Sequence, residues 1–183
     1  MRSFFAVALA ALASTVFAAE VPRPSPEYAL SFPGGKQDLL SHHRGKVVVV
    51  EFLFTTCPHC QKSATLLSKF QKEYGPKGLE VIGVAINENP DIAGFTRQYA
   101  TAFPVAASNR DSAFVYLQQS IMSTNFYVPQ MVFVDRKGVI RGQYSGTDPF
   151  LGEQQEANIR NMIDKLVAEK PVSAKPAKPK GVS

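Results

Sequence analysis

The stretch "GKVVVVEFLFTTCPHCQKSATLLSKF", residues 45–70, changes period halfway along. Its first half is a β-branched run from Val47 to Val50, continued by Phe52 and Leu53, which is the pattern of a central strand buried on both faces. In its second half Cys60, Ala64, Leu67 and Phe70, followed by Tyr74, recur at three- and four-residue steps, as on one helix face. Gly75-Pro76 stops that helix. At the junction lie the only two cysteines of the chain, Cys57 and Cys60, with Pro58 and His59 between them. Cys57 falls at or near the helix N-terminus, and three residues make about one turn, so the two sulfurs can face each other. Pro58 suits the first turn, where a missing N–H costs nothing. The helix amides and dipole favour a thiolate at Cys57, and a protonated His59 adds positive charge nearby. Cys60 lies deeper and keeps its proton longer.

Working outward, "GLEVIGVAI" (78–86) reads as a second buried strand. Ile92, Phe95 and Tyr99 mark a helix, "FPVAAS" a short strand and "RDSAFVYLQQ" a further helix. "QMVFVDRKGVIRGQYSG" (130–146) is a hairpin around Asp135-Arg136-Lys137-Gly138. Ile159, Met162, Ile163, Leu166 and Val167 form the stripe of a final helix. On the N-terminal side, "YALSF" before "PGGK" reads as a short edge strand and turn, preceded by a proline-rich lead-in, "EVPRPSPE". Strands alternating with helices and ending in a hairpin give an α/β class with a mixed sheet. The 183 residues suit a single domain, expected over residues 20–169.

Both ends fall outside that domain. "MRSFFAVALAALASTVFAAE" has one positive residue, an apolar run and small residues at its close, so residues 1–19 are expected to be a cleaved secretory signal. Contact with a membrane is expected only if that segment stays uncleaved. Residues 170–183 form a Lys/Pro/Ala-rich tail with nothing to bury, expected to be disordered. The tail carries Lys170, Lys175, Lys178 and Lys180 of a chain with net charge +5. No basic face interleaved with aromatics appears elsewhere, which argues against nucleic acid as a partner.

Export leaves a thiol pair free to form a disulfide. As a staple, a disulfide closing so small a loop removes little chain entropy. Zinc wants four ligands, and the chain has one cysteine pair, with His42 and His43 adjoining each other in what reads as a solvated polar loop. Copper(I) on two thiolates is chemically allowed. Glu51, a lone carboxylate inside "VVVVEFLF", is expensive to ionise, so its pKa should rise. That makes it a candidate proton acceptor for Cys60. The other reading of Glu51 is a rim carboxylate paired with a surface lysine.

The chain resembles the thioredoxin-like superfamily, specifically the exported TlpA/ResA-like redoxin group, over about residues 25–168. The resemblance rests on "PEYALSFPGGKQDLLSHHRGKVVVVEFLFTTCPHC", on "VIGVAINENPDIAGFTRQYATAFPV" as the central insertion, and on "VPQMVFVDRKGVIRGQYSG" as the proline-hairpin ending. It implies a three-layer fold, with a mixed central sheet flanked by helices and a central helical insertion. It also implies a redox-active Cys57–Cys60 disulfide needing no further cofactor and no metal. Glu51 matches a buried acid beneath that pair, and Pro129 a cis-proline beside it. Val128 then supplies the backbone that pairs with an extended substrate segment. Partners would be protein thiol or disulfide substrates and a second protein that resets the pair.

The chain departs from the group in three places. Thr56 replaces the usual aromatic, and "LQQSIMSTNFY" is longer than the common linker. The Pro58-His59 pair is similar to the strongly oxidising DsbA type. Two alternatives are a peroxidase of the peroxiredoxin branch and a copper carrier. The first wants Pro and Thr where this chain has Val50 and Phe54.

Overall fold

The structure is a computed structural model that describes residues 20–122 and 125–169; the expected signal segment and basic tail lie outside the described residues. Its frame is one eight-stranded mixed sheet with the order β1-β8-β7-β4-β5-β6-β2-β3. The strands are β1 (Arg23–Pro24), β2 (Ala29–Ser31), β3 (Gln37–Leu39), β4 (Val47–Leu53), β5 (Leu79–Ala85), β6 (Val105–Ala107), β7 (Gln130–Val134) and β8 (Val139–Tyr144). Strand β4 is central, pairing in parallel with β5 and antiparallel with β7. All seven of its residues are buried, as its unbroken apolar run requires. The hairpin β7–β8 turns through Asp135, whose carboxylate accepts from the backbone N–H groups of Lys137 (2.9 Å) and Val139 (3.0 Å).

Strand alternation divides the core into two layers. Val47, Val49 and Leu53 face helices α1 (Pro58–Tyr74), α2 (Ile92–Gln98) and α4 (Gln155–Ala168), meeting Cys60, Leu67, Phe70, Phe95, Ile159 and Ile163. Val48, Val50 and Phe52 face the opposite way, toward α3 (Arg110–Tyr116) and the N-terminal segment, meeting Tyr28, Leu30, Leu40 and Tyr116. Helices therefore cover both faces, giving the three-layer thioredoxin-like arrangement. Helix α2 and strand β6 lie between β5 and α3, where the helical insertion is expected.

Three features differ from the sequence reading. The segment read as an edge strand, β2, is paired on both sides, with β6 and with β3, so the edge is held by β3, too short and polar to show a period. The proline-rich lead-in contributes strand β1, which pairs with β8 at the sheet edge. A proline-rich chain is already extended, and the Arg23 guanidinium fastens this one by donating to Tyr116 O (3.2 Å) and Gln143 Oε1 (2.7 Å). The adjoining histidines do not share a solvated loop. They sit in a 3₁₀ turn, Leu40–His43. His42 is exposed beside Asp38, but the His43 side chain is only 12% exposed, its Nδ1 3.0 Å from Glu80 Oε2 on β5. A turn that brings Leu40 into the core carries His43 inward with it.

The Phe52 ring packs edge-on against Tyr28, with centroids 5.4 Å apart, and has no exposed surface. Phe52→Ala should destabilise the protein by about 3–5 kcal/mol in chemical denaturation. Val115→Ala, at a position 71% exposed, should change stability by less than about 0.5 kcal/mol in the same measurement.

Candidate functional site

At the end of β4 the chain makes a tight turn, with Cys57 N–H donating to Phe54 O at 3.1 Å. Two side chains hold that turn. Asn87, beyond β5, accepts from Thr55 N–H at 3.0 Å, and Gln61, in the first turns of α1, donates to Thr55 O at 3.0 Å. Neither was singled out by the sequence, because each acts on backbone and belongs to no motif.

Cys57 is the N-cap of α1. Its backbone is extended (φ −83°, ψ 120°), and its sulfur accepts from the Cys60 N–H at 3.5 Å. A helix N-terminus leaves its first N–H groups unpaired, so the Cys57 sulfur occupies the place of a capping oxygen. Pro58 is the first helical residue, and both it and His59 are exposed. Cys57 is half-buried, Cys60 fully buried, and both are free thiols. Burial pushes the Cys60 thiol far above its ordinary range, and the neighbouring Glu51 charge and Cys57 push it further the same way. The two sulfurs are thus unequal in exposure, and the inner one is held as a thiol by its burial.

Glu51 is wholly buried, not at the rim. Strand alternation puts it on the face of Val49 and Leu53, toward α1. In register it lies between Gly83 of β5 and Met131 of β7, neither of which titrates. Among the described residues no hydrogen bond of proper geometry reaches either carboxylate oxygen, and no cation pairs with it. Loss of hydration raises its pKa from 4.5 to about 8, a rise that the Ser63 hydroxyl opposes. A group titrating there can hold or release a proton near neutrality.

The other side of the site is the segment entering β7. The Val128–Pro129 peptide is cis. The Cys57 thiol points at Val128 O, 3.9 Å from the sulfur. Two further residues shape this segment. Gly146 lies so close that a Cβ there would stand 2.6 Å from Val128 O, so it is glycine for space. Gln130, buried just after Pro129, donates to Tyr127 O at 2.8 Å and accepts from Gln119 at 3.2 Å. The fold thus brings Glu51, Cys57, Pro58, His59, Cys60, Val128 and Pro129 to one end of β4. His42 and His43 lie elsewhere, on the turn before that strand. Among the described residues no group of three or more His, Cys, Asp or Glu side chains is arranged to hold a metal.

The model of the Redoxin family matches residues 23–163. The chain is 24% identical over 148 residues to the thiol-disulfide oxidoreductase ResA of Geobacillus thermodenitrificans, covering 76% of this chain and 82% of that protein. It is 28% identical over 127 residues to the thioredoxin-like protein YneN of Bacillus subtilis, covering 67% and 70%. In structure it is similar to a thiol:disulfide interchange protein of the thioredoxin family from Chlorobium tepidum, with TM-score 0.65 and 20% identity, covering 82% of this chain and 99% of that one. At that identity the likeness concerns the fold alone.

The raised pKa of Glu51 links stability to pH. Below about pH 4.5 the carboxyl is protonated both folded and unfolded, and no penalty applies. Above that value the unfolded chain ionises first, so stability falls as pH rises toward about 8 and then levels off. Glu51→Gln should therefore match the wild type in melting temperature at pH 4 and exceed it increasingly up to pH 8. A difference that does not vary with pH would show that Glu51 titrates normally.

Proposed function

The chain belongs to the Redoxin family, and on that premise we propose that it is an exported thiol–disulfide oxidoreductase acting on protein substrates through Cys57 and Cys60. The observation that carries the reading is the inequality of the two cysteines. One sulfur is half-exposed and capped by a helix N-terminus, and the other is buried beside a carboxyl that titrates near neutrality. The names of the curated relatives, ResA among them, support the same chemistry. Export rests on the N-terminal sequence, with its apolar run and small-residue close.

The steps balance without a further cofactor. The Cys57 thiolate attacks a substrate disulfide, one substrate sulfur leaves as a thiolate, and a mixed disulfide forms. The Cys60 S–H bond then breaks, its proton passes to the Glu51 carboxylate, and the Cys60 thiolate attacks the Cys57 sulfur. The second substrate thiolate is released, and the pair is left oxidised by two electrons. Run backward, the same steps donate a disulfide. A partner protein must restore the starting state in either direction. Val128 and Pro129 hold the substrate segment. The Val128 carbonyl beside the Cys57 sulfur supports that role, because a substrate strand pairing there brings its own sulfur within reach.

The direction of flow is read as oxidising relative to thioredoxin. The Cys57 sulfur accepts from the Cys60 N–H at the N-terminus of α1, and this contact favours the reduced pair over the disulfide. Stabilising the reduced form raises the potential, with a tenfold change in equilibrium worth about 30 mV.

Oxidised glutathione tests the assignment of roles. Cys60→Ser should hold glutathione on Cys57 as a stable adduct by mass spectrometry, whereas the wild type releases it as the internal disulfide closes. Cys57→Ser should acquire almost none, because Cys60 is buried. Stable loading of Cys60 in place of Cys57 would invert the roles.

Equilibration with glutathione gives the direction. The wild-type potential should lie above the thioredoxin value of about −270 mV, and His59→Pro should lower it by about 30–60 mV. A wild-type value at or below that of thioredoxin would make the protein a reductant.

A further inference from the structure

The stretch "LQQSIMSTNFY", which makes the connection before Val128 longer than is common in the group, has no part in the steps above. It joins α3 to β7, and both its ends are fastened. At its start Leu117 is buried, and its carbonyl accepts from Gln143 Nε2 at 2.9 Å. The Gln119 side chain donates to Gln130 Oε1 at 3.2 Å. At its end the Phe126 ring packs on Phe114 with centroids 4.6 Å apart, and the Arg110 guanidinium lies over both rings, at 5.0 Å from Phe114 and 5.6 Å from Phe126. The carbonyl of Tyr127 accepts from Gln130 Nε2 at 2.8 Å and from the Gly146 N–H at 3.4 Å. Phe126 and Val128 both pack against the core on the α3 side of the sheet. In an extended chain successive side chains point to opposite sides, so Tyr127 between them is turned outward, and it is 51% exposed.

A large aromatic ring is thus held in solvent on an anchored backbone, and the residue that follows it carries the carbonyl 3.9 Å from the Cys57 sulfur. Of the six large hydrophobic side chains exposed among the described residues, three belong to this linker: Ile121, Met122 and Tyr127. Single exposed hydrophobics need no explanation, but a concentration of them on one connection beside a reactive group marks a contact site. We propose that Tyr127 is a specificity-determining residue, whose ring receives an apolar side chain flanking the substrate cysteine on an extended protein segment. The assignment rests on the reading of Cys57 as the attacking sulfur and of Val128 as the backbone that pairs with substrate. A segment paired at Val128 brings its neighbouring side chains within about 5–8 Å of the residue before it. Tyrosine suits that task, because it offers a broad apolar face with few rotamers to lose. Its backbone is already ordered by the bonds to Gln130 and Gly146, so little further freedom is lost when a segment binds.

The test uses two single-cysteine peptides, each with a thionitrobenzoate group on its cysteine. One has leucine on both sides of the cysteine, and the other has serine there. Attack by the Cys57 thiolate on the peptide sulfur forms the Cys57–peptide disulfide and releases the coloured thionitrobenzoate anion, which gives the rate. Each rate is divided by that of glutathione with the same peptide, so that the intrinsic reactivity of the peptide cancels. The reduced wild-type chain should favour the leucine peptide about tenfold, the size expected for one aromatic contact with some burial of apolar surface. Tyr127→Ser should bring that ratio close to one. Tyr127→Phe should keep it, since the ring and not the hydroxyl makes the contact. Val115→Ser, at the exposed apolar position on α3, should leave the ratio as in the wild type.

A wild-type ratio near one, with both peptides reacting, would overturn the proposal and leave exchange through Cys57 standing. So would a Tyr127→Ser variant that slows both peptides alike, because the ring would then serve only to hold the linker. A ratio lowered as much by Val115→Ser would assign the preference to apolar surface in general and remove Tyr127 from recognition. Were neither peptide to react at Cys57, the function itself would fall, and the proposal with it.

Discussion

Glu51 sits inside the strand on which the whole sheet is built, and its burial is the constraint to which the neighbouring residues answer. Strand β4 is paired on both edges and covered on both faces, so none of its seven residues reaches water. Six of its seven residues are apolar, and the seventh is a carboxyl with no cation beside it among the described residues. Such a group escapes the cost of a buried charge by keeping its proton up to higher pH. The carboxyl lies toward the end of the strand where the cysteines stand, on the face that α1 covers.

The cysteine pair depends on that strand in a second way. Because β4 runs directly into α1, the first sulfur caps the helix while the second enters the core. The same short connection therefore produces one accessible thiol and one protected thiol three residues apart. The turn is held from outside by Asn87 and Gln61, which bond the backbone of Thr55. These bonds fix the turn from which the first sulfur projects.

The opposing wall is set by close backbone approach. Val128 reaches the Cys57 sulfur through its carbonyl, and Gly146 gives way to that carbonyl by having no side chain. Gln130 then fastens the segment from inside through Tyr127. A substrate strand would meet a wall whose position is decided by residues it never touches.

Much of the fold was legible because the chain states it in periods. The unbroken run of β4, the helical spacing from Cys60 to Tyr74 and the hairpin about Asp135 each reflect a local rule of burial, and all three appear where the sequence puts them. The cysteines were legible for a related reason, since their spacing is chemical information in itself. Strand β1 was not, because a two-residue edge strand has no period and forms only when β8 offers it a partner. His43 likewise looked like its neighbour His42, and only the turn into the core separates them. Ser63 and Gln155 lie 92 residues apart and meet only when α4 packs beside α1. The sequence by itself determined the long elements, the spacing of the two cysteines and the one improbable carboxyl in the central strand. Tertiary structure decided what that carboxyl faces, because hydration is lost and hydrogen bonds are made between segments that only folding brings together.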